Sequence, residues 1–334
     1  MLTADMAAIP TYVLAAALPA PADARAPTLL PAPPAGEGAS DVANISNVLY
    51  IGGTAIFLTV AALIAVALFG PVAWRRRLSG PSLIVGAGIA FPVVALTALL
   101  VYVLSEASSM ARAGATVAVR IEVTGELWWW RVRYLDAAGK PVFETANDIR
   151  IPAGEWVEFV LKSDNVIHSF WIPELGGKLD MIPGHVNRLR VRALGAGRYT
   201  GQCAEYCGAQ HANMKFDVQA MAPDAFQAWL TAQAQPAAPA AGPTLRQGER
   251  LFQQACAQCH TVRGTSAAGT LGPDLTHVGS RLSLAAGVLP NNVGALAGWI
   301  AGSQHIKPGN PMPSFDQLPG EDLRAVAHYL ESLK

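Results

Sequence analysis

Charge is scarce in this 334-residue chain: 14% of residues are Asp, Glu, Lys or Arg, 24 basic against 24 acidic. A balance of that kind gives no electrostatic footprint for nucleic acid or another polyanion. No acidic residue lies between Asp41 and Glu106, and only Arg75, Arg76 and Arg77 are basic between Arg25 and Arg112. Cysteine is scarce as well, with four residues in two pairs, Cys203/Cys207 and Cys256/Cys259. That is too sparse for a disulfide framework, so the pairs read as metal or cofactor sites. None of the seven histidines precedes His168. The apolar N-terminal region therefore cannot supply histidine ligands to a buried haem or copper centre.

Long uncharged runs stand where charge is missing. Val48 to Gly70 is one of 23 residues, and Ser82 to Leu104, with Pro92 inside it, is a second. At 1.5 Å per residue each spans a hydrocarbon core of roughly 30 Å, and a proline is tolerated within such a helix. The arginines between them place the short loop in the cytoplasm and everything after Met110 on the outer side of a cell membrane. Ala7 to Leu18 resembles a signal-peptide core followed by small residues, "APADA", but no Lys or Arg precedes it. Pro19 to Ser40 is Pro/Ala-rich and expected to be disordered. The first units are then 1–40, signal-like and disordered, and 41–110, a hairpin with helices at about 48–70 and 82–104.

From 111 to 232 the texture changes. "TVAVRIEVTGELWWWRVRYLD" and "GEWVEFVLKSD" alternate apolar and polar residues between turn residues. Short strands at this spacing predict a sandwich or barrel, closed by a helix at Pro223 to Ala232. Gln233 to Pro243, "QAQPAAPAAGP", reads as a semi-rigid Pro/Ala linker. Residues 244–334 predict an all-α unit, since three stretches carry i, i+3/i+4 apolar faces.

In that last unit "CAQCH", Cys256 to His260, is the pattern for covalent haem c attachment. Both thiols bond the haem and His260 ligates its iron. A redox dithiol or half a zinc site would fit the Cys pair, but no further cysteine follows to complete a zinc site. A second axial ligand of Met type raises the haem potential, and Met312, in "GNPMPSF", is the only methionine after Cys256. "LGPDLTHVGSR" resembles the corresponding loop of class I cytochromes c. By that resemblance the Pro273 carbonyl orients His260 and Arg281 lies near a haem propionate, while Trp299 is either core or propionate partner.

"GQCAEYCGAQHANM", Gly201 to Met214, gathers two cysteines, a histidine and a methionine. A disulfide would leave the His and Met without a role, and zinc does not usually take a thioether. Thiolate, imidazole and thioether together favour copper in electron transfer, and two thiolates on one loop can bridge two metals.

The pattern C-x-E-x-C-x-x-x-H-x-x-M is similar to the dinuclear copper (CuA) loop of the cytochrome c oxidase subunit II family. "VIHSFWIPELGGKLDMIPGHVN" resembles the family segment that carries the other copper histidine. The resemblance implies a cupredoxin-like domain in which Cys203 and Cys207 bridge two coppers. His168, His211, Met214 and the backbone carbonyl of Glu205 complete the shell. It further implies that the Glu205 carboxylate reaches a Mg or Mn site at the catalytic-subunit boundary, with Asp180 nearby. The resemblance covers the hairpin through Ala232. With the cytochrome after it, the chain resembles subunit II of caa-type haem-copper oxidases.

"GELWWWRVRY" resembles the family's aromatic segment below the copper, with Trp128 as the residue that receives electrons and Trp129 and Trp130 structural. Two features depart from the family. Arg131 and Arg133 stand where acidic residues receive a basic soluble cytochrome c, and the glutamate that many members carry before the second helix is missing. His185 replaces a common arginine. His277, His305 and His328 read as surface or supporting residues.

The function implied is an electron-input subunit, in which electrons pass from a donor, a cytochrome bc complex or soluble cytochrome c, through haem c and CuA to subunit I. Subunit III would complete a bacterial inner-membrane complex that reduces oxygen and translocates protons. The small subunit of a CuA-containing nitric oxide reductase is the alternative, and a copper carrier with a haem sensor is a reading of another class.

Overall fold

The computed structural model describes residues 34–112 and 116–334; the signal-like stretch falls outside them. Helix α1 (Glu37–Phe69) is longer than its apolar run predicts. A helix N-terminus leaves amides without intrahelical partners. Here Ala35 and Gly36 donate to the Glu174 carbonyl at 2.8 and 3.0 Å, and Ala39 donates to Leu175 at 3.2 Å. Residues 34–40 are thus ordered against the β-domain. This corrects the expectation of disorder up to Ser40.

The arginine triplet lies on helix α2 (Val72–Leu78). Helix α3 (Pro81–Val85) runs through a π-helical turn, Gly86–Ala90, into α4 (Phe91–Arg112). Pro92 has no N–H for the ordinary ladder, and the wider turn just before it carries an i→i+5 bond from Phe91 to Gly86. Both long helices present exposed apolar side chains and are long and apolar enough to cross a membrane.

Two five-stranded sheets follow. One has the order β3-β2-β1-β5-β8, built from β1 (Val119–Gly125), β2 (Trp130–Leu135), β3 (Pro141–Ala146), β5 (Trp156–Ser163) and β8 (Asn187–Arg192). The other, β4-β10-β9-β6-β7, uses β4 (Asp148–Pro152), β6 (His168–Trp171), β7 (Leu179–Met181), β9 (Gly197–Cys203) and β10 (Lys215–Met221). Alternation puts Trp130, Phe159, Phe170 and Phe216 inside, with Phe170 stacked on Phe216 at 4.6 Å between centroids. Helix α5 (Pro223–Gln233) closes one edge with Trp229 against Tyr134 and Phe143.

The C-terminal unit holds α6 (Gly242–Ala255), α7 (Val293–Ile306) and α8 (Gly320–Ser332). A two-stranded ribbon, β11 (Ser283–Leu284) and β12 (Leu289–Pro290), is added to the expected all-α unit. Helices α6 and α8 cross closely because residue 248 is glycine: a Cβ there would stand 2.1 Å from the Ala325 carbonyl oxygen.

The Pro/Ala segment is not a free tether. Ala237 and Ala240 pack against the C-terminal core, and the Ala237 amide donates to Arg263 at 2.9 Å. The Arg263 guanidinium donates back to the carbonyls of Gln233 and Ala234. The C-terminal unit is docked on the β-domain. Arg131 donates to the Thr270 carbonyl at 3.0 Å and Arg150 to that of Ser280 at 3.2 Å. The Leu282 amide donates to Asp148, and the Lys215 amide to the Ala286 carbonyl.

Candidate functional site

Strand pairing assembles the first donor set. β6 pairs with β9 so that Phe170 faces Cys203, which brings His168, two residues earlier, over the end of β9. Gly125 makes room for it, since a Cβ there would stand 2.6 Å from the imidazole. The loop after β9 returns Cys207, His211 and Met214 to the same place. His168 Nδ1 lies 3.7 Å from Cys203 Sγ, and His211 Nδ1 lies 3.7 Å from Cys207 Sγ. The two sulfurs are 3.8 Å apart, and Met214 Sδ is 3.8 Å from Cys207 Sγ. The Glu205 carbonyl oxygen is 3.2 Å from Cys203 Sγ.

These spacings fit metal coordination. Tetrahedral sites with bonds of roughly 2.0–2.3 Å separate their donors by roughly 3.3–3.8 Å, whereas a disulfide would need roughly 2.05 Å. Both cysteines are free and buried, and His168 and Met214 are fully buried. The Asn165 carboxamide oxygen sits 3.0 Å from His168 Nε2. It holds the proton on that nitrogen and leaves Nδ1 available as a ligand. The thiols share their protons unequally. The hydrogen bond between them pulls the Cys203 pKa well below the ordinary thiol value and pushes Cys207 up. A metal at this point would have to displace the remaining proton.

The three tryptophans divide. Trp130 is fully buried in the β-core, and Trp129 lies beneath the Arg131 guanidinium at 4.7 Å. Trp128 donates from Nε1 to the Cys207 carbonyl at 2.8 Å. Arg131 also pairs with Glu126 and Glu144. Its charge is therefore spent within the chain and on the docked C-terminal unit, not held out toward a soluble partner.

The Glu205 carboxylate is about half exposed and faces Lys178. Lys178 Nζ lies 3.8 Å from it and 3.9 Å from the Asp180 carboxylate. The two acids gather around a cation that the chain itself supplies, with all three side chains about half exposed.

In the C-terminal unit Cys256 ends α6, and the amides of Cys259 and His260 both donate to its carbonyl. His260 Nδ1 sits 2.9 Å from the Pro273 carbonyl oxygen, so that Nδ1–H donates there and Nε2 stays free. Burial lowers the pKa of His260 and keeps the ring neutral, as a ligand requires. Arg281 donates to the Asp274 carbonyl, while its buried Nε has no partner. An unpartnered guanidinium donor in a buried setting suits a propionate of a haem. The Met312 loop is clamped: its carbonyl accepts from Ser303 at 2.9 Å and Gln304 at 2.7 Å.

Trp299 is half-buried and His185, His305 and His328 are exposed. His277 is buried with Nε2 3.0 Å from the Gln235 carbonyl.

Sequence reasoning missed Asn165 and Lys307. Lys307 is 3% exposed. Its ammonium donates to the carbonyls of Trp128 and Asn213, each at 2.7 Å, and of Ala285 at 3.1 Å. Burial draws its pKa down to about 7, with Cys207 acting in the opposite sense.

Two family models match the chain: "Cytochrome C oxidase subunit II, periplasmic domain" over residues 131–221, and "Cytochrome c" over residues 245–334. Cytochrome c oxidase subunit 2 of Alkalihalophilus pseudofirmus is 39% identical over 217 residues, covering 65% of this chain and 61% of that protein. The protein of the same name from Bacillus subtilis is 33% identical over 244 residues, covering 69% of this chain and 67% of its own length. The chain thus spans 61% and 62% of the first two relatives, the second from Bacillus sp.. The periplasmic domain of subunit II of the Bradyrhizobium japonicum cytochrome oxidase aligns at 27% identity and a TM-score of 0.33. That alignment covers 35% of this chain and 94% of that one.

Proposed function

The chain belongs to the cytochrome c oxidase subunit II family, and on that premise we propose that it is the electron-input subunit of a membrane haem-copper oxidase. Cys256 and Cys259 would attach a haem c whose iron His260 and Met312 would ligate, with electrons supplied by an external donor. His168, Cys203, Glu205, Cys207, His211 and Met214 would hold a dinuclear copper centre facing subunit I, the partner in which oxygen would be reduced. When bound, both groups would supply one-electron chemistry. A cytochrome bc complex or a soluble cytochrome c is the donor, and subunit III a further partner. Nothing among the named relatives favours the nitric oxide reductase.

The observation that carries this reading is the position of Trp128 where the copper loop meets the C-terminal unit. Its indole donates to a carbonyl of the copper loop, and a Cβ at Gly309, three residues before Met312, would stand 3.8 Å from its ring. Asn165 and Pro273 fix the imidazoles of His168 and His260 by their outer nitrogens. Burial of Cys203, Cys207 and Met214 keeps water from the first donor set, and fixed donors keep rearrangement small when charge changes by one. A Mg or Mn ion at Glu205 and Asp180 would have to displace Lys178, which already pairs with both acids.

The purified complex, given a reduced donor, should consume oxygen and contain copper and covalent haem in a ratio of two to one in this chain. Nitric oxide turnover without oxygen uptake would overturn the assignment of the acceptor.

A further inference from the structure

Lys307 has no carboxylate partner among the described residues, although it is nearly fully buried. A lysine is seldom buried unless paired. Here an ammonium with three N–H donors meets three backbone carbonyls at 2.7, 2.7 and 3.1 Å. Those carbonyls come from three segments: Trp128 before β2, Asn213 beside Met214, and Ala285 in the turn of the C-terminal ribbon. Two belong to the β-domain and one to the C-terminal unit that carries Lys307. The next residue repeats the crossing, since Gln210 Nε2 donates to the Pro308 carbonyl at 2.9 Å.

The other cations at this interface differ. Arg131 and Arg150 keep carboxylates of their own domain, Glu126, Glu144 and Asp148, whether or not the C-terminal unit is present. Lys307 has only the carbonyl set, which exists as a set only when the two units are docked. Its place is also specific. It holds the backbone of Trp128 itself, and it opens the loop that runs through Gly309 to Met312.

We propose that Lys307 is a positioning residue that locks the cytochrome unit against Trp128, so that electrons cross in one fixed geometry and not by sampling on the linker. This rests on the two-centre reading above. An undocked unit would still be held by the linker at an effective concentration on the order of millimolar, so electron transfer would continue but wait on encounter. Removing the ammonium takes the shared donor from three carbonyls at a partly buried interface. Undocking relieves that by admitting water, so the fold of each unit should survive.

The test is Lys307→Met in the purified complex. Pulsed dipolar EPR between oxidised haem c and the mixed-valence copper pair should give one narrow distance in the parent and a broad distribution in the variant, with both optical spectra unchanged. After flash photoreduction of haem c, transfer to copper should slow by about tenfold or more and become viscosity-dependent, as expected for motion on a tether. A broad distance distribution in the parent, or a variant with the parent's narrow distance and rate, overturns the proposal. If the variant does not assemble, the parent still decides. Under acetic anhydride Lys307 should stay unmodified while the exposed Lys140 and Lys178 are acetylated, and acetylation of Lys307 at their rate overturns the lock. Absence of the mixed-valence signal would instead sink the two-centre reading, whatever the acetylation pattern.

Discussion

The indole of Trp128 donates to the carbonyl of Cys207 at 2.8 Å, across 79 residues of sequence. A ring that touches the C-terminal unit on one side is thereby hydrogen-bonded on the other to the backbone of a copper-loop cysteine. Lys307 holds the same tryptophan by its carbonyl. One residue thus meets both the copper loop and the C-terminal unit.

Trp128→Ala should slow transfer from haem c to copper by orders of magnitude while both metal spectra remain. Trp128→Phe, which keeps a ring but loses the N–H, should fall between. Flash photoreduction followed at the copper absorption measures both. Because the units are docked, the rate should not change with protein concentration, and it should depend weakly on salt, which screens exposed charges more than buried contacts. A rate unchanged in the alanine variant would remove Trp128 from the path.

Copper loading should give two ions per chain with a delocalised mixed-valence EPR spectrum. Met214→Leu should retain both ions and shift the potential, since a thioether is a weak ligand. Asn165→Ala should leave the stoichiometry intact yet weaken copper affinity by about 10–100-fold, the usual effect of losing the partner that orients a ligating histidine. Metal analysis after dialysis against a graded chelator distinguishes the two variants. One copper per chain with a four-line blue-copper spectrum would exclude the dinuclear centre.

How much of this was legible in the sequence follows from distance along the chain. Cys203, Cys207, His211 and Met214 share one loop, so their spacing alone carries meaning. His168 lies 35 residues before Cys203 and was reached only through resemblance. The β-alternation and the two apolar runs are local patterns and were readable. Docking was not. Lys307 meets Trp128 across 179 residues, and its partners are backbone carbonyls, which every residue possesses. No residue type marks such a contact. The Pro/Ala segment misled for a related reason, since its composition describes an isolated linker and not the surface it packs against. Arg131 and Arg133 were legible as departures from an acidic docking face. What they do instead, bonding Thr270, Glu144 and Glu122, needed the fold.

Haem should resist acid-acetone extraction, because two thioether bonds hold it. The spectrum should be low-spin with a Met–iron band, and Met312→Ala should abolish that band while leaving the haem attached. Ser303→Ala removes a donor to the Met312 carbonyl. It should leave the band present but more easily lost on warming, with a destabilisation of about 1 kcal/mol for one hydrogen bond. Thermal melts followed at the Met–iron band and at the Soret band separate ligand loss from unfolding. A band unchanged in Met312→Ala would mean a different axial ligand.

The β-domain should lose stability in acid through two carboxylates on the outer face of its first sheet. Burial alone would raise the Glu158 pKa, but hydrogen bonds from Arg190 and Arg188 hold it below the ordinary 4.5. Burial acts likewise on Glu122, where Lys162 and Arg133 outweigh it. A carboxyl whose folded pKa is depressed contributes stability that is fully present above its unfolded value. That contribution is lost as pH falls through the folded value. Both contributions should therefore be complete above pH 4.5 and disappear below it. The arginines around Glu158 are 40–58% exposed at their side chains, and solvent screens them. Glu158→Gln should accordingly cost only about 1 kcal/mol at neutral pH and progressively less in acid. Urea melts of parent and variant at pH 7 and pH 3.5 give the difference directly. A Glu158→Gln penalty that grew on acidification would mean that Glu158 is not held as a carboxylate in the folded domain.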